Sequence, residues 1–169
     1  TGSHGLSRLG LALLKCEKLP TQIQISPELS TRAIKAHKRP YPAVKALKAL
    51  IECKPELTSW RAAGTDSSDG LIEAIRGICQ SSNCQAVLSK TSLLKDPDWP
   101  KDSIWNEWFL NGGEDYELIL SLPQEWAEAL SRNLDSAQII GFIKEGKPNI
   151  FWDNLEPISI EKTSSFQHF

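Results

Sequence analysis

Apolar residues recur at helical spacing along much of this chain, and the interruptions between them are proline, glycine and charge. Leu6, Leu9, Leu13 and Leu14 lie near one face of a helix over residues 6–15. Ser26-Pro27-Glu28-Leu29 reads as a helix start. A serine hydroxyl can accept from the free N–H groups of a first turn, and proline suits that turn. This helix runs to about Lys38, where Arg39-Pro40-Tyr41-Pro42 breaks it, because proline disfavours helix at the residue before it. Pro42 opens another helix with Val44, Leu47, Ala49, Leu50 and Ile51 helically spaced. A short strand over 61–66 leads into a helix over 69–81 whose Leu71, Ile72, Ile75 and Ile78 share a face. Gln85 to Ser89 reads as a strand, 90–102 as a loop and 103–110 as a short aromatic helix. Gly112-Gly113 turns into a strand over 116–120, and Pro123 starts a helix to about Asn133. Strands over 137–143 and 148–152 follow, joined by a turn at Glu145-Gly146. Helices first, then mixed β and α units, predict a layered α/β (α+β) domain: a mixed β-sheet with helices packed against it. No internal repeat or domain boundary is visible, so 1–169 is read as a single domain.

Composition narrows the function classes. A chain of 169 residues has room for one proper core. The formal net charge of −2 argues against a nucleic-acid partner, which would ordinarily meet a basic face. No apolar run approaches a membrane span and no signal peptide is recognisable, so a cytoplasmic protein with no membrane partner is expected. Cys16, Cys53, Cys79 and Cys84 form no CxxC pair and lie in apolar surroundings, so they are expected to be buried, reduced thiols.

The candidate chemistry begins at Thr65-Asp66-Ser67-Ser68-Asp69-Gly70-Leu71. Asp66 and Asp69 stand three positions apart at a strand-to-helix turn. Such a turn repels a phosphate by its own charge, but its carboxylates can hold Mg²⁺, which bridges to phosphates. The plain alternative is a helix N-cap by Ser68 or Asp69. That alternative leaves Asp66 unexplained and in need of a positive partner. A second constellation, Asn111-Gly112-Gly113-Glu114-Asp115-Tyr116-Glu117-Leu118, places three carboxylates after two glycines, where a backbone can approach a ligand closely. It can equally be a glycine-terminated helix before a solvated edge strand, with Asp115 and Glu117 on one face and Glu114 and Tyr116 on the other. The closing Phe166-Gln167-His168-Phe169 can dock on the body or stack on a flat heterocycle.

Together these segments resemble thiamine-monophosphate kinase, and specifically its C-terminal half. Thr1-Gly2-x-x-Gly5-x-Ser7-Arg8-x-Gly10-Leu11 is similar to the family's TG-x-x-G-x-S-x-x-GL, and Arg39-Pro40-Tyr41-Pro42 to its RP-x-P. Asp66-Ser67-Ser68-Asp69-Gly70-Leu71 resembles D-[IV]-S-D-G-L, residues 112–118 reproduce GGEDYEL, and Phe166 to Phe169 resemble its closing aromatic-x-HF. The departures are Ser67 for the usual Ile or Val, Ala43 for an arginine and Ala74 for an aspartate.

The resemblance implies the fold of the aminoimidazole ribonucleotide synthetase, selenophosphate synthetase and HypE superfamily, and the phosphorylation of thiamine monophosphate by ATP with Mg²⁺. In family roles Asp66 and Asp69 would be catalytic metal ligands and Ser68 would contact the ATP phosphates. Glu114, Gly112, Gly113 and Phe166 would form the thiamine side. An N-terminal half carrying much of the ATP site and the interface of a homodimer would be the missing partner, and this chain would be inactive alone. The alternatives are another ATP-dependent member of the superfamily, such as an aminoimidazole ribonucleotide synthetase-like or HypE-like enzyme, or a non-catalytic binding module.

Overall fold

In the computed structural model the described residues are 1–93 and 95–158. Helices α1 (Leu6–Leu14), α2 (Pro27–Lys38) and α3 (Val44–Glu52) come first. They are followed by β1 (Ala63–Asp66), α4 (Leu71–Ser82), β2 (Cys84–Leu88), α5 (Trp105–Asn111), β3 (Leu118–Ser121), α6 (Gln124–Asn133), β4 (Gly141–Glu145) and β5 (Asn149–Trp152). The layered α/β class read from the sequence is the one observed.

Locally encoded elements fall where their signals lie. Ser26 caps α2, its Oγ accepting from Leu29 N at 3.1 Å, with Pro27 in the first turn. Helix α4 buries Leu71, Ile72, Ile75 and Ile78 and ends on Asn83, which takes the left-handed conformation that closes helices. These side chains, with Leu9, Leu29, Trp99, Trp105, Phe109 and Ile119, make the main core. A smaller cluster joins Leu50, Trp126 and Leu130.

The strands differ from the sequence reading in pairing and extent. They form two sheets: β1 pairs antiparallel with β3, and β2 lies between antiparallel β4 and parallel β5. The strand expected over 137–143 begins only at Gly141 and does not pair with its successor. The 145–149 connection instead crosses the start of β2, with Cys84 opposite Glu145 and Gln85 opposite Asn149. The strand expected from Tyr116 begins at Leu118, because Glu114 and Tyr116 adopt φ of +65° and +54°. The alternation of faces expected over 114–117 therefore does not exist.

All four cysteines are free thiols. Cys79 and Cys84 are buried as expected, and burial pushes the Cys79 thiol up to about 11. Cys53 is half-buried and Cys16 is exposed, against expectation: Cys16 lies just beyond the end of α1 with φ +53°.

Candidate active site

The acidic turn and the glycine-acidic loop are far apart in sequence and stitched together by backbone. Ser67 N donates to Glu117 O at 2.9 Å, and Glu117 N returns a bond to Ser67 Oγ at 3.1 Å. Glu114 N donates to Ser68 O at 2.7 Å. Ser67 is wholly buried, so its hydroxyl satisfies a backbone N–H that would otherwise lose its partner. Ser67, one of the departures from the family motif, thus has a structural task.

Gly70 lies between the two segments. Its φ of +101° excludes most side chains, and a Cβ there would sit 3.0 Å from Asn111 O. It is also the N-cap of α4, so the cap position itself falls to a glycine rather than to Ser68 or Asp69. Asp66 is exposed, and its Oδ1 accepts from Ser68 Oγ at 2.8 Å and Ser68 N at 3.3 Å. Exposure and these bonds remove the need for a buried counter-ion at Asp66. Asp69 is also exposed, so both carboxylates face solvent from one turn.

In the second segment each acidic side chain has a different task. Asp115 does what no residue of α1 does for its own N-terminus: Oδ2 accepts from Gly5 N at 2.7 Å and Oδ1 from Ser7 N at 2.9 Å. Desolvation outweighs these two bonds, which favour the anion, and with Glu117 and Glu114 nearby the Asp115 pKa is pushed up to about 7. Glu117 accepts from Thr1 Oγ1 at 2.7 Å, while Leu118 N donates to Thr1 Oγ1 at 3.0 Å. Glu114 is half-exposed, with Oε2 3.4 Å from His37 Nδ1. Gly112 and Gly113 are buried. A Cβ on Gly112 would lie 2.4 Å from Trp108 O and 2.8 Å from Arg8 Cβ, so this glycine answers to packing; its φ is an ordinary −67°.

The structure thus brings Asp66, Ser68, Asp69, Gly112, Gly113 and Glu114 into one neighbourhood. Phe166 and His168 lie outside the described residues. Sequence reasoning missed Ser67, Asp115 as a remote helix cap, and His37. Ser67 and Asp115 stand inside motifs read from the sequence, whereas nothing in the sequence pointed to His37. Among the described residues no group of three or more His, Cys, Asp or Glu side chains is placed to hold a metal. Two solvent-facing carboxylates do suit Mg²⁺, a hard cation that keeps waters and takes one or two carboxylates together with substrate phosphates. A wide cleft of about 1440 Å³ lies elsewhere, between the sheets, lined in part by Trp60, Ile75, Cys84 and Ile143. No described helix is long and apolar enough to cross a membrane.

No family model matches the chain. Among solved structures, AaThiL complexed with AMPPCP and TMP aligns with all of it at 27% identity and a TM-score of 0.72. The thiamine monophosphate kinase of Aquifex aeolicus aligns with 94% of it at 26% identity and a TM-score of 0.67. A HypE–HypF complex shares the fold alone, at 11% identity and a TM-score of 0.59. Each alignment covers about half of the other chain. The fold therefore places the chain with the aminoimidazole ribonucleotide synthetase-like superfamily, to which the ThiL and HypE folds belong.

Within that class the sequence likeness is to thiamine-monophosphate kinase, and it runs the whole length of the chain. The enzyme of Prochlorococcus marinus is 47% identical over 169 residues, and that of Synechococcus elongatus 40% identical over 173. The chain spans about half the length of these relatives, 51% and 50% respectively.

Proposed function

We propose that the protein transfers the γ-phosphoryl group of ATP to thiamine monophosphate, giving ADP and thiamine diphosphate. This chain would act with the portion its relatives carry beyond it, which would supply much of the ATP site and the dimer interface. The observation that carries the reading is the backbone stitching of the acidic turn 66–70 to the loop 112–117. It sets solvent-facing carboxylates beside a loop whose Glu114 remains accessible. The end-to-end likeness to thiamine-monophosphate kinases supports it, as does a relative solved with AMPPCP and TMP.

Asp66 and Asp69 would hold Mg²⁺, which would supply positive charge to offset that of the phosphates during transfer. Ser68, whose hydroxyl is turned onto Asp66, would meet the nucleotide phosphates. Glu114 would face the cationic thiazolium, Phe166 would pack on that ring, and Gly113 would keep the backbone close to the ligand, with Gly112 holding the loop against Trp108 and Arg8. Transfer would be direct and in line, dependent on alignment and charge neutralisation, with no phosphoenzyme.

The test uses the full-length protein. Asp66→Asn and Asp69→Asn should each lower kcat roughly a hundredfold, about 3 kcal/mol of transition-state stabilisation, while the KM for thiamine monophosphate moves little. Near-normal kcat in both variants would exclude the metal-ligand roles.

A further inference from the structure

We propose that His37 is a positioning residue that aims the Glu114 carboxylate at the cationic ring of the substrate; the inference rests on the reading of Glu114 given above. Three separate parts of the chain converge here. Ser7, in the first turn of α1, is buried and places Oγ 3.0 Å from His37 Nδ1. His37, in the last turn of α2, places the same Nδ1 3.4 Å from Glu114 Oε2. Glu114 sits in the left-handed conformation, held there by its own N–H bond to Ser68 O and by the neighbouring Asp115 clamp on Gly5 and Ser7.

The chemistry of the donors orders this triad. An ionised carboxylate only accepts hydrogen bonds, so an attractive contact with Glu114 requires the hydrogen on Nδ1. Ser7 Oγ is the hydrogen-bond partner of that same nitrogen and limits rotation of the ring, so Oε2 meets it as a charge contact rather than as a second hydrogen bond. A glutamate side chain has three rotatable bonds, and a carboxylate free to turn among rotamers loses that freedom when it meets a ligand. The His37 ring held against Oε2 restricts the rotamers beforehand while Oε1 stays available. The contact exists because α2 packs tightly on α1: Gly10 lets the Ala33 carbonyl and the His37 Cβ approach.

The experiment is a double-mutant cycle in the full-length protein, with thiamine monophosphate binding measured by calorimetry and steady-state kinetics alongside. His37→Ala should raise Kd and KM three- to tenfold, with kcat within twofold, and His37→Asn, which retains an N–H donor, should recover part of the loss. Glu114→Gln should raise Kd further. In the Glu114→Gln background, His37→Ala should add nothing, whereas a merely structural role would add its full effect in both backgrounds. Unchanged affinity in His37→Ala, or an undiminished effect in the double variant, overturns the inference while leaving the reading of Glu114 intact. Unchanged affinity in Glu114→Gln overturns both. If His37→Ala does not fold, His37→Asn and His37→Gln, each singly and with Glu114→Gln, carry the same comparison.

Discussion

Gly10→Ala is the substitution for which helix propensity and packing make opposite forecasts. Gly10 sits inside α1, where alanine is favoured over glycine by about 1 kcal/mol. A Cβ at this position would lie 2.1 Å from Ala33 O and 2.6 Å from Ala33 C, both in the backbone of α2, and 2.9 Å from His37 Cβ. An ordinary contact begins near 3.4 Å, so the Ala33 carbonyl would have to recede by about 1.3 Å (3.4 − 2.1). A helix carbonyl cannot swing aside as a side chain can, so α1 and α2 must separate. Such overpacking costs typically 1–3 kcal/mol, and with rigid backbone on both sides the upper end applies. Subtracting the propensity gain leaves a net loss of about 2 kcal/mol. For a domain of this size that is a fall in Tm of roughly 4–8 °C. Denaturant unfolding of the wild type and Gly10→Ala, followed by circular dichroism, measures the difference directly. A variant as stable as the wild type, or more so, would refute the close approach of α1 and α2. The same shift carries His37 away from Glu114, so substrate affinity should drop together with stability.

Two further outcomes follow from the same structure. Gly70→Ala combines a φ of +101° with a Cβ only 3.0 Å from Asn111 O, so it should cost about 2 kcal/mol by denaturant unfolding and reduce kcat by disturbing both loops. His4 is buried and desolvation lowers its pKa to about 3. A histidine depressed below its ordinary 6.5 stabilises the fold above pH 6.5, and that contribution is lost as pH falls toward 3. Asp115, raised to about 7, acts in the opposite sense from about pH 7 down to its ordinary 3.8. The isolating measurement is therefore the stability of His4→Leu minus that of the wild type, which should move in favour of the variant as pH drops from 7 to 4. A difference independent of pH would show that His4 titrates normally.

The helices and the family likeness were legible in the chain because their causes are local. Ser26 and Pro27 start α2 within a single turn, and the apolar face of α4 is spelled out by four residues at helical spacing. The two acidic motifs were likewise visible as contiguous strings, since motif chemistry depends on residues adjacent in sequence. What lay beyond the sequence was every feature in which one segment answers to a distant one. Tyr116 has ordinary strand propensity, yet it takes a left-handed φ because Asp115 is clamped to α1 and Glu117 to Ser67. Strands near 140 and 150 could be read from their composition, but their placement on either side of β2 could not, because a turn of similar residues serves a hairpin or a crossing equally well. Asp115 as the cap of α1 and His37 as the partner of Glu114 are likewise decisions of tertiary structure. Side chains more than seventy positions apart in sequence meet only once the helices have packed, and hydrogen-bond satisfaction in that packed state assigns each of them its role.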